Sequence, residues 1–191
     1  MKRAELAILL AAVTTALAAC DLPGTVPANV AVVVDGVNVP MSRYDHVVET
    51  TKRVAEARGL PLDANSTNGQ ARLKSIRSVT IRGLVHEALI KTIARQKNIQ
   101  VTDSELNQAV NDVAQALGGK EALAQRLDQA GETDGDFRDQ VRLQRLQGKL
   151  RTADPSYDKH LQDAVKAAKV RAYAQPCDQD HEYPRCIGGQ A

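Results

Sequence analysis

Apolar residues recur along this chain in two periods, two residues apart in short runs and three or four apart in long ones. The order of these runs predicts a mainly α-helical domain of about five to six helices, with a small β-hairpin or sheet joining its ends. The segment "VAVVVDGVNVP" (Val30 to Pro40) holds two β-branched runs around Asp35-Gly36. Asp-Gly supplies the positive φ angles of a type I′ turn, so the segment predicts a hairpin, and Pro40, with no N–H to donate, ends its second strand. Ser42 is the expected N-cap of a helix running to about Arg58, with Gly59 just past its end. Tyr44, Val47, Val48 and Val54 share one face of that helix. Leu60 to Gly69 reads as a polar loop, and its formal glycosylation sequon at Asn65-Ser66-Thr67 is taken as coincidence.

The longest periodic segment runs from about Gln70 to Lys97. Leu73, Ile76, Val79, Leu84, Ala88, Leu89, Ile90 and Ile93 recur at threes and fours, with Ile81 and Val85 on other sides. A helix apolar on several sides packs on more than one neighbour, so it is the expected spine of the domain. Asn98 closes it. Thr102-Asp-Ser-Glu105 has capping-box spacing ahead of a helix whose stripe is Leu106, Val110, Val113 and Leu117, ended by Gly118-Gly119. A short helix follows from about Lys120 to Ala130, with Leu123 and Leu127 inward. Thr133-Asp-Gly-Asp136 is a second, weaker capping box for a helix to about Arg151 carrying Phe137, Val141, Leu143, Leu146 and Leu150. Asp154-Pro155 has the form of an N-cap followed by proline at the first helical position. The helix it opens, with Tyr157, Leu161 and Val165 on one side, ends near Ala168. "VRAYAQ" (Val170 to Gln175) alternates, and reads as a strand that adds to the hairpin.

The start of the chain sets the compartment. Lys2 and Arg3 precede an apolar run from Leu6 to Ala19, shorter than the roughly 20 residues a membrane span wants, so residues 1–19 read as a signal peptide. Leu17-Ala18-Ala19-Cys20 matches the lipobox of bacterial lipoproteins, which makes Cys20 the expected site of diacylation and the new N-terminus. Residues 20–29, with two prolines and a glycine, form a tether. The expected location is the extracytoplasmic side of a cell membrane, periplasmic or cell-surface, held by a lipid anchor.

Of three cysteines, one is then the lipid carrier and two form a pair. Exported chains fold where disulfides persist, so Cys177 and Cys186 in the tail, residues 176–191, are expected to bridge. A bridge over so short a loop contributes on the order of 2 to 3 kcal/mol by constraining the unfolded chain. A metal site recruiting Asp178, Asp180, His181 and Glu182 is the competing reading, although its cysteine spacing is wider than zinc sites use.

Charge excludes little except nucleic acid. The 25 basic and 23 acidic residues are interspersed, no basic tract exists, and four tyrosines and one phenylalanine leave little for base stacking. About 170 mature residues bury one good core, which places residues 30–175 in a single domain. No enzyme signature survives. His86-Glu87 lacks the second histidine of a zinc-protease helix, because position 90 is Ile. His46, His86 and His160 sit in predicted helices as solvated or core-rim residues. There is no phosphate loop, nucleophile elbow or dinucleotide fingerprint. No catalytic residue, metal ligand or cofactor is assigned.

The order of "VAVVVDGVNVPMSRYD", "LVHEALIKTIARQKNIQVTDSELNQAV" and "DFRDQVRLQRLQGKL" resembles the N-terminal chaperone domain of SurA and PrsA-type foldases, itself similar to the client-binding part of trigger factor. The matching blocks are Val30 to Asp45, Leu84 to Glu105 and Phe137 to Leu150. The resemblance implies a helical body that binds unfolded or newly exported polypeptides as a holdase. In such foldases a strand like "VRAYA" leads into parvulin domains that isomerise prolyl bonds. The residues after Val170 are too few to form one, so the expectation is client binding without that catalysis. Candidate groove residues are Val47, Val54, Leu84, Ile93, Phe137 and Leu146, each of which also qualifies as plain core. A structural or assembly lipoprotein with one dedicated partner, a homodimer, and a metal-binding tail protein stay open as alternatives.

Overall fold

The computed structural model describes residues 29–174. Strands β1 (Val30–Val34) and β2 (Val37–Pro40) form the hairpin. Asp35 and Gly36 have φ of 48° and 81°, the left-handed pair that a type I′ turn requires. Six helices follow: α1 (Met41–Ala57), α2 (Thr67–Gln96), α3 (Asp103–Ala116), α4 (Lys120–Ala130), α5 (Asp134–Ala153) and α6 (Tyr157–Ala167). Strand β3 (Val170–Ala172) then pairs antiparallel with β1, giving the order β2-β1-β3. The fold is thus mainly α, with the small sheet joining the two ends of the domain. As the central strand, β1 is buried throughout, which is why it reads as an unbroken apolar run.

Local chemistry explains most boundaries. Both capping boxes form: Thr102 with Glu105 at the start of α3, and Thr133 with Asp136 at the start of α5. Asn98, at φ 53°, turns the chain away after α2. Three expectations need correction. Ser42 does not cap α1. That helix begins at Met41, whose N–H is already held by the Asn29 carbonyl at 2.7 Å, so a backbone acceptor replaces the side-chain cap. The Leu60–Gly69 loop is shorter than expected, because Ser66, the middle of the sequon, caps α2 by accepting from the Gly69 N–H at 3.0 Å. Asp154-Pro155 precedes α6 by a turn: the Asp154 side chain accepts from the Ser156 N–H at 2.9 Å, and the helix starts at Tyr157.

The interior divides into three clusters. The first packs the sheet against α1, α2 and α6 through Val32, Val34, Tyr44, Val48, Ile81, Leu84, Val85 and Val165. The second joins α3, α4 and α5 through Leu106, Val110, Leu123, Leu127 and Val141. The third lies where α2, α5 and α6 meet, around Ile90, Ala94, Leu150 and Tyr157. The spine expectation for α2 holds, since it supplies Leu84 and Val85 to one cluster and Ile90 and Ala94 to another. Leu117, expected in the α3 stripe, is instead 40% exposed at the helix C-cap.

Among the described residues, no helix is long and apolar enough to cross a membrane, and no group of His, Cys, Asp and Glu could hold a metal ion. Cys20, Cys177 and Cys186, and with them the lipid and disulfide expectations, lie outside the described residues.

Candidate binding groove

Three helices each present a stripe at spacing three or four to one groove of about 420 Å³. From α1 come Val47, Thr50, Thr51 and Val54; from α2, Val79, Gly83, Leu84 and Glu87; from α5, Asp136, Asp139, Gln140 and Leu143. Leu84 is only 3% exposed and belongs to the floor, whereas Val79 is 51% exposed on the wall. Gly83 keeps the floor low. A Cβ added there would meet nothing within 4 Å, so the missing side chain is open volume.

Charged residues rim this apolar strip and tie its walls together. Arg43 on α1 donates to Asp139 of α5 at 2.9 Å and to Glu87 of α2 at 3.3 Å, and Lys91 pairs with Glu87 from the far side. Burial pushes the Glu87 carboxyl upward, but hydrogen bonds and charge from Lys91 and Arg43 outweigh it, leaving the pKa lowered. Asp136, 7% exposed, is the other tie. It faces the His46 Nε2 at 2.6 Å and accepts from Thr50 at 3.2 Å, Arg53 at 3.3 Å and the Thr133 hydroxyl at 2.7 Å. Here too burial acts upward, and the hydrogen bonds from Thr133 and His46 bring the pKa below its usual value. One carboxylate therefore caps α5 and locks it to α1.

A family model described as the SurA-like N-terminal domain matches residues 2–151, well over half of the chain. The chain belongs to this family. Membership suggests a chaperone-type function in which the SurA-like domain binds unfolded polypeptides, and no catalytic domain is evident beside it. Neither the curated proteins nor the solved structures contain a match.

Of the six groove candidates read from sequence, the SurA-like domain brings Val47, Val54 and Leu84 together. The other three point elsewhere. Ile93 and Leu146 pack on the α2–α5–α6 cluster, and Phe137 on the α3–α4–α5 cluster. Sequence reasoning assigned Val79 and Leu143 to core stripes and passed over Gly83. A glycine inside a strongly apolar helix was the available signal, since it weakens the helix unless space is needed there.

A broader hollow between α3 and α5, about 1510 Å³, mixes Ile99, Val101, Val113 and Val141 with Gln108, Asp112, Gln144 and Arg145, so its lining is proportionately more polar than that of the groove. At the start of α6, Asp154, Ser156 and His160 lie within hydrogen-bond distance of one another. The Ser156 hydroxyl donates its single proton to Asp154 at 2.6 Å rather than to His160 at 3.3 Å. The cluster orders the turn that leads into α6 and does not present an activated nucleophile.

Proposed function

We propose that this protein is an extracytoplasmic lipoprotein, anchored through fatty acids on Cys20, that holds unfolded or newly exported polypeptides in the α1–α2–α5 groove without prolyl isomerase catalysis. The observation that carries this reading is the groove itself: an apolar strip with Val79 half exposed and Gly83 leaving space, in a family of chaperone type. Two client side chains buried there contribute about 3 to 6 kcal/mol, against an ordering cost of ~2 to 5 kcal/mol for an unfolded segment. Binding is then weak and reversible, which suits shielding a chain that must leave to fold.

The sheet supports the anchoring part of the proposal. The N–H groups of Tyr173 and Ala174 both donate to the Ala31 carbonyl, at 2.7 and 3.1 Å. The two ends of the described residues are therefore neighbours, and α1 follows directly from the hairpin there. A lipid on Cys20 would keep the groove near the membrane, where exported chains emerge.

The test follows light scattering of a denatured exported protein on dilution, with and without the full chain. Slower aggregation at stoichiometric protein supports the proposal, and superimposable curves reject it. Mass spectrometry of the mature N-terminus reports acyl chains on Cys20, and titration of free thiols on the exported protein decides between a Cys177–Cys186 bridge and a metal-bound pair.

A further inference from the structure

The groove is lined by Glu87, Glu132, Asp136 and Asp139 against Arg43 alone. Three of these carboxylates are answered: Glu87 by Arg43 and Lys91, Asp139 by Arg43, and Asp136 by Arg53 and His46. Glu132 differs. Its backbone N–H donates to the Leu127 carbonyl at 2.9 Å, fixing it just past the end of α4. Its side chain has no hydrogen bond or ion pair among the described residues, and the residue is partly exposed. The adjoining hollow, which Glu132 also borders, carries Lys120 and Arg138 beside Asp128 and Asp134; Arg138 donates to Asn107, and neither cation pairs with Glu132.

We infer that Glu132 selects, from the polypeptides the groove holds, extended segments in which a lysine or arginine accompanies apolar residues. The inference rests on the client-binding reading above. A guest lysine or arginine placed near Glu132 supplies the missing counter-charge, while its neighbours' apolar side chains occupy the strip beside Val79 and Leu143. An acidic guest meets an unanswered like charge instead, a repulsion that salt screens. The chain's own tail is the wrong occupant by the same criterion, since Asp178, Asp180 and Glu182 outnumber Arg185 there.

The full chain in phosphatidylcholine nanodiscs, with empty nanodiscs as control, is titrated against three fluorescein-labelled unstructured decapeptides. They share their valine and leucine positions and differ only in whether two central residues are Lys, Gln or Glu. Anisotropy is expected to rank affinity Lys over Gln over Glu, with the extremes separated by about fivefold at low salt and converging in high salt. Glu132→Gln should collapse that separation, and Glu132→Lys should invert it. Both variants keep the backbone contact to Leu127, and a thermal melt verifies folding. Equal binding of all three peptides to the unaltered chain, or a ranking that Glu132→Gln does not alter, overturns the role of Glu132 and leaves the groove reading standing. If no peptide binds, both fall.

Discussion

Gly131 lies against the backbone of Arg53: a Cβ added to the glycine would come 2.8 Å from the Arg53 carbonyl oxygen. This is where the turn between α4 and α5 touches the end of α1, one boundary of the groove. Gly131 also has φ of 71°, so an alanine there incurs both strain and collision. Gly131→Ala should cost about 2 to 3 kcal/mol, lowering Tm by roughly 5 to 10 °C for a domain of this size. Gly59 is the control, with φ of 72° and open space around it; Gly59→Ala should cost only about 1 kcal/mol. Equal losses in differential scanning calorimetry would show that the contact with Arg53 is immaterial.

Asp136 links stability to acid. Its folded pKa lies below the ordinary aspartate value of 3.8, so the ionised form is the one the fold favours. Its contribution is present above pH 3.8 and is lost as the pH falls through the lower, folded value. Glu105, held by Lys149 and by the Thr102 backbone at a pKa of about 2 instead of 4.5, loses its contribution over that interval. Tm measured from neutral pH downward should fall across this window, and Asp136→Asn should flatten part of the fall. At neutral pH Asp136→Ala should cost about 1 to 3 kcal/mol, because Thr133, Thr50 and Arg53 lose a shared acceptor.

Gly83 separates stability from binding. Gly83→Ala should raise stability by roughly 0.5 to 1 kcal/mol, the usual gain inside a helix. Gly83→Leu should fold as well but fill the groove, and aggregation should then proceed as though no chaperone were present. By contrast, Leu84→Ala removes a floor residue and should cost about 2 to 5 kcal/mol. Full suppression of aggregation by Gly83→Leu, with an intact melt, would place client binding elsewhere.

Tyr157 is fully buried, and its hydroxyl has no hydrogen-bond partner among the described residues. Burial raises its pKa, and the Arg151 guanidinium stands 5.8 Å from its ring centroid. Tyr157→Phe keeps the ring and removes an unsatisfied polar atom, so stability should be unchanged or higher by up to about 1 kcal/mol. Tyr157→Ala should cost roughly 3 to 5 kcal/mol. A large loss on the Phe change, read by chemical denaturation, would reveal a partner for the hydroxyl.

The elements were legible in the sequence wherever a few neighbouring residues decide them. Asp35-Gly36 dictates its turn through φ, Thr102-Glu105 and Thr133-Asp136 close their own helix ends, and Gly118-Gly119 stops α3, all within one turn of backbone. The missed caps at Ser42 and Asp154 fail for the complementary reason: their helices start where a distant or competing acceptor, the Asn29 carbonyl or the Asp154 side chain's own turn, takes the N–H first. The site needed the tertiary structure. Val79 and Leu84 lie on one apolar helix and look alike in sequence, yet one is half exposed and the other sealed, because only the arrival of α1, α5 and the sheet settles which sides of α2 are covered. Asp136 was readable as a cap but not as the tie to α1, and Glu132 as a polar residue but not as an unanswered charge, since a partner some 80 to 90 positions away is chosen by packing and not by spacing.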